Sequence, residues 1–190
     1  MGHHSFKNPP IAELNYSIDW SRVPIEEIRT KMKPHADLEY VRKAYPSDGK
    51  SDAHKKAWRE VLGFWYTWRV DKDNLRGYLK QVSDEVGDGL NANLTFYYLE
   101  PYKTILPHYD IRSASINFVL AEDIAPINFD EYGDFHYTSF AFDGKNHRHA
   151  VMNRSSERFV LQVGFFGVDY EEIKRRLERN GLLKRSSRKI

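Results

Sequence analysis

Apolar and polar positions change rhythm near Asn93. Downstream, the apolar residues fall into short β-branched and aromatic runs, NLTFYYLEP, SINFVLAED, FHYTSFAFDG, HAVMN and RFVLQVGFFG, separated by turn formers such as Asp143-Gly144. This half predicts a β-sandwich or barrel. Upstream the spacing is helical. Val23, Ile25, Ile28 and Met32 mark a short amphipathic helix between Ile18 and Lys33 that ends near Pro34. Leu75, Tyr78, Leu79 and Val82 mark another, with Gly87 as its stop. Residues 35–57 are polar and rich in turn formers, so they read as a loop suited to act as a lid, with His35 and His54 in solvent. The segment WREVLGFWYTWRV is too aromatic to be solvated, and its Trp58, Trp65, Tyr66 and Trp68 read as packing against the sheet. Helices first and strands after predict a mainly β fold with N-terminal helices packed on an outer face.

The 190 residues suit one domain: a helical and loop region over 1–92, a β core over 93–170, and a basic helix with a tail over 171–190. Hydrophobic residues at 41% and a net charge of +2 describe an ordinary globular chain and name no partner. The basic residues near the C-terminus are diluted by Glu171, Glu172 and Glu178, so a solvated helix is favoured over a nucleic-acid contact. No apolar run reaches the length of a membrane span and no signal-peptide core is present, so a cytoplasmic protein with no membrane partner is expected. The oligomeric state is not legible. Cysteine is absent, which removes disulfides and thiolate-bound metals and leaves His, Asp and Glu as the available ligands.

Within that constraint, LPHYDIRSASINFVL reads as a strand whose polar start sets His108 and Asp110 on one face. A third ligand is available in HRHAVMN, from His147 or His149. Two imidazoles and one carboxylate occupy one face of an octahedral metal and leave the other positions open. Alternation in RFVLQVGFF puts Arg158, Val160, Gln162 and Gly164 inward and Phe159, Leu161, Val163 and Phe165 outward. A guanidinium confined in that way calls for a carboxylate, and a ligand is the candidate supplier. The isolated His136 reads as an ordinary strand histidine.

HYD at 108–110, HAVMN at 149–153, and Arg158 nine residues past the second histidine resemble the His-x-Asp…His…Arg signature of the Fe(II)/2-oxoglutarate-dependent oxygenases. The aspartyl/asparaginyl β-hydroxylase-like and prolyl-hydroxylase-like branches are the most similar. The resemblance covers residues 93–167. It implies a double-stranded β-helix (jelly-roll, cupin-like), with His108, Asp110 and His149 binding Fe(II) and Arg158 holding the distal carboxylate of 2-oxoglutarate. It further implies a hydroxyl on that co-substrate from Tyr98, with Tyr97 as rival, and places Asn117 nearby. Arg112 and Arg154 are candidates for the substrate. The implied activity is that of a dioxygenase, an oxidoreductase hydroxylating a C–H bond of an amino-acid-like or peptidyl substrate with O2 and releasing succinate and CO2. Related halogenases carry a small residue in place of the acid, so Asp110 points to hydroxylation. A cupin-like metal enzyme that does not use 2-oxoglutarate and a non-catalytic binding module on the same fold are the competing readings.

Overall fold

The structure is a computed structural model that describes residues 9–35, 65–71 and 75–184. In chain order its elements are β1 (Ile11–Glu13), a 3-10 turn (Trp20–Arg22), α1 (Ile25–Lys31), β2 (Lys33–Pro34), β3 (Trp65–Arg69), α2 (Gly77–Gly87), β4 (Ala92–Leu99), β5 (Thr104–His108), β6 (Ala114–Leu120), β7 (Ile127–Phe129), β8 (Gly133–Phe135), β9 (Ser139–Phe142), β10 (His149–Met152), β11 (Arg158–Phe165) and α3 (Tyr170–Arg179). One sheet runs β1-β9-β6-β11-β4-β3-β2 and the other β5-β10-β7-β8. Every pairing in both is antiparallel.

From β4 to β11 the chain passes back and forth between the two sheets, and only the β7–β8 hairpin stays within one. This winding is the double-stranded β-helix, a jelly-roll. Its strand pleat divides the apolar residues into two buried clusters. Between the sheets lie Tyr97, Leu99, Val119, Phe140, Phe142 and Val160 of the larger sheet with Ile127, Phe129 and Val151 of the smaller. The second cluster takes the alternate residues of the same strands, among them Leu94, Phe96, Ile116, Phe118, Leu161, Val163 and Phe165. Ile28 of α1, Val82 and Val86 of α2, and Ile173 and Leu177 of α3 belong to it as well.

The structure departs from the sequence expectation in three places. The run from Leu106 to Leu120 is not one strand: β5 ends at His108, a five-residue break follows, and β6 begins at Ala114 in the other sheet. The region before Asn93 supplies β1, β2 and β3 as well as helices, so the aromatic WYTWR is part of the sheet rather than a cover for it. The helix over 77–87 is closed by Asp88 in the left-handed region (φ 48°), one residue past the expected Gly87. Most of the lid candidate, with His54 and Trp58, lies outside the described residues. No helix among those described is long and apolar enough to cross a membrane.

Candidate metal centre

His108 is the last residue of β5, and His149, the first of β10, is its direct cross-strand partner. This pairing brings the imidazoles to a ring separation of 4.4 Å. Each ring is turned by its own backbone: Nδ1 of His108 faces the Leu106 carbonyl at 2.8 Å, and Nδ1 of His149 faces the His147 carbonyl at 3.1 Å. A carbonyl only accepts, so both Nδ1 atoms carry a proton, and in the neutral ring that leaves the lone pair on Nε2. His147 is therefore the carbonyl that orients the ligand, and its own ring lies 3.8 Å from Glu131.

Asp110 follows β5 and is held by its backbone N–H, which donates to the Gly144 carbonyl at 2.8 Å. Its Oδ1 lies 3.6 Å from His108 Nε2 and its Oδ2 lies 4.0 Å from His149 Nε2. One donor atom from each of the three residues falls within 4.8 Å of the others, too far apart for direct hydrogen bonds and suited to a shared cation. Among the described residues, Asp110 Oδ2 is buried without a hydrogen-bond partner. An orphaned carboxylate oxygen facing two imidazole lone pairs fits a divalent metal, and the N2O donor set suits Fe(II) with positions left open.

Burial by itself would raise the Asp110 carboxyl, but His108, His149 and Arg112 outweigh it and hold the group below the usual carboxylate range. Burial drives His149 down to about 4 against the pull of Asp110, so its imidazole is neutral near pH 7.

The three side chains open into a cavity between the sheets that Arg112, Asn117, Arg158, Gln162, Tyr97 and Trp65 also line. Arg158 points inward from β11 and is 3% exposed. Its Nη1 donates to the Ala125 carbonyl at 2.8 Å, and no carboxylate among the described residues pairs with it. Burial pulls this guanidinium down to about 10. Arg112 extends from the break after β5 and donates to the Tyr97 hydroxyl at 2.8 Å. It crosses Gly164, where a Cβ would lie 2.4 Å from Arg112 Cδ. Asn117 lines the cavity and leaves its Oδ1 buried without a partner among the described residues.

Two sequence assignments need correction. Tyr98 does not face the cavity: the pleat turns it to the opposite side of the sheet, where its hydroxyl donates to Glu157 at 2.8 Å and Arg29 lies over its ring. Tyr97 is the inward neighbour, and its hydroxyl lies 3.3 Å from Gln162 Oε1. Arg154 stands off the cavity because the turn after β10 carries it out to Asp123, 3.1 Å away.

His35 was expected in solvent. Instead its Nδ1 lies 2.9 Å from Thr67 Oγ1, and its ring stacks on Trp65 at 4.5 Å and 12°. Burial, with Arg112 and His108, brings His35 down to about 4. Nothing in the local sequence signals this placement, which depends on β2 pairing with β3. His136 is exposed beyond β8. In the basic C-terminal helix, Arg176 and Arg179 are paired with Asp88.

No family model matches the sequence, and no curated protein matches it. Among solved structures the chain is similar to a polyketide cyclase from Streptomyces resistomycificus, at 13% identity over 53% of this chain and 65% of that one, with a TM-score of 0.35. It is similar to an oxidoreductase of the 2OG-Fe(II) oxygenase family from Burkholderia pseudomallei, at 15% identity over 53% and 65%, with a TM-score of 0.40. A prolyl-4-hydroxylase from Pseudomonas putida shares 15% identity over 75% of this chain and 96% of that one, with a TM-score of 0.42. The chain thus spans 65% of the length of the first two. Likenesses of this strength carry no argument about activity, and the reading of the site rests on its own side chains.

Proposed function

We propose that this chain is an Fe(II)/2-oxoglutarate-dependent dioxygenase that hydroxylates an unactivated C–H bond of an amino-acid-like or peptidyl substrate and releases succinate and CO2. The observation that carries the reading is Arg158, a buried guanidinium with no carboxylate of the described residues beside it, in the cavity that also holds the His108–Asp110–His149 group. A buried cation without a counter-charge is costly, and an acidic ligand relieves that cost. A diacid with a metal-chelating end satisfies both features at once.

In this reading His108, Asp110 and His149 hold the iron, and Arg158 anchors the distal carboxylate of 2-oxoglutarate. Bound iron, together with the co-substrate, supplies the oxygen-activating chemistry. The neutral His149 imidazole keeps its lone pair available at pH 7, and the ionised Asp110 offsets part of the metal's charge. Val151, Val160, Ile127 and Phe140 give the cavity an apolar wall. Arg112 and Asn117 offer a donor and an acceptor beside the metal for orienting ligands.

Anaerobic titration with Fe(II) and 2-oxoglutarate tests the proposal. A weak visible charge-transfer band is expected from bidentate chelation. In Arg158→Ala the band should demand at least about 30-fold more 2-oxoglutarate while metal affinity stays close to that of the wild type. Tight metal binding with no band in the wild-type protein overturns the proposal in favour of a metal enzyme that does not use 2-oxoglutarate. Failure to bind metal favours the binding module.

A further inference from the structure

Trp65 carries a buried donor. Among the described residues its Nε1 finds no acceptor, although the ring lines the same cavity as Arg158 and the metal group. An indole N–H only donates, and leaving one buried and unsatisfied is destabilising unless a ligand accepts from it. Aromatic packing accounts for the ring faces: His35 stacks on it, and Tyr97 lies at 5.0 Å. It does not account for the N–H.

The sheet register places this donor. Trp65 is the cross-strand partner of Leu99, and Leu99 is the partner of Arg158. The three therefore form one row across β3, β4 and β11. Trp65 and Arg158 both turn to the cavity side, their Cα atoms two strand spacings apart, roughly 10 Å. Side chains of this length at that spacing can reach one small group between them. The Trp65 ring also lies 6.1 Å from that of His108, on the cavity wall beside the metal group.

Resting on the function proposed above, we infer that the Trp65 indole N–H is the second donor to the ligand carboxylate that Arg158 anchors. It takes the part that Tyr98 was expected to play and that the pleat denies to it. The Tyr97 hydroxyl is already engaged by Arg112 and Gln162. The indole is held in place from behind: Thr67, two residues along the same face of β3, meets His35 Nδ1 at 2.9 Å, and the His35 ring lies flat against Trp65. Residues 33–35 and 65–69, outside the stretch that resembles the oxygenases, thus complete the co-substrate site.

Trp65→Phe removes the N–H and keeps an aromatic ring. With Mn(II)-loaded protein, calorimetric titration of 2-oxoglutarate should show roughly a 10- to 100-fold weaker affinity in the variant, the range for a hydrogen bond to a charged group. The affinity for 2-oxobutyrate, which chelates the metal but has no distal carboxylate, should be unchanged. In diamagnetic Zn(II) protein the indole proton resonance that Trp65→Phe deletes should move downfield when 2-oxoglutarate binds. Equal 2-oxoglutarate affinities in the two proteins, equal losses for both acids, or an unmoved indole resonance each overturn the inference while leaving the oxygenase reading intact. No binding of 2-oxoglutarate by the wild-type protein overturns the oxygenase reading itself, and the inference with it.

Discussion

The metal group depends on one residue that contributes no ligand atom. A Cβ on Gly144 would lie 2.6 Å from Asp110 Oδ2, 2.8 Å from His149 Cε1 and 2.8 Å from Phe142 Cε2. Two of those atoms belong to proposed ligands, and the third belongs to a fully buried ring that has little room to give. Gly144→Ala is therefore expected to lower divalent-metal affinity about 10- to 100-fold, the size of effect seen when the surroundings of a ligand are disturbed. Metal titration monitored by calorimetry checks this, and an unchanged affinity would show that the group tolerates a methyl there. Much of the site was legible at this scale. The His-x-Asp spacing, the second histidine and the parity of Arg158 are local properties of the chain. Tyr98 was misplaced because a strand alternates with period two, so an error of one residue exchanges the two faces. His35 and Trp65 were missed because they approach the site only through long-range pairing, His35 through β2 on β3 and Trp65 through β3 on β4.

Among the elements, β11 carries the most distinct division of labour. Its outward residues Leu161 and Val163 are fully buried in the cluster that also holds Val82 of α2 and Ile173 of α3, and its inward residues Arg158 and Gln162 line the cavity. The two faces should separate experimentally. Leu161→Ala should cost about 2–5 kcal/mol of folding free energy, read from urea unfolding of metal-free protein. Folded Leu161→Ala should bind metal as the wild type does. A large change in metal affinity, with the variant folded, would mean that the outer cluster sets ligand geometry directly. Alternation made both faces of this strand readable. The break at 109–113 was not readable, because the apolar pattern resumes after it and local pattern does not reveal a change of sheet.

For the molecule as a whole, the metal group joins parts of the chain that no single element connects. His108 and His149 sit on neighbouring strands of the smaller sheet, while Asp110 lies in the passage toward the larger one. A cation bound there favours the native state alone, because the unfolded chain scatters its ligands. Divalent metal at 100 times its dissociation constant should raise stability by about 2.7 kcal/mol, seen as a higher Tm that a chelator reverses. His149→Ala should abolish the metal-dependent rise. A rise that survives the substitution would place the stabilising ion elsewhere.

By itself the sequence determined the β character of residues after Asn93, the two faces of β11, and a donor set of His108 and Asp110 with His147 or His149, because each follows from the short-range period of a strand or from the absence of cysteine. Tertiary structure decided which tyrosine faces the cavity, that the chain leaves one sheet for the other between His108 and Ala114, and that His35 and Trp65 stand beside the site. These features arise from pairing and winding between residues far apart in sequence. Their free energies come from contacts that exist only once the two sheets have closed on each other, and no local pattern of hydrophobic and polar positions encodes them.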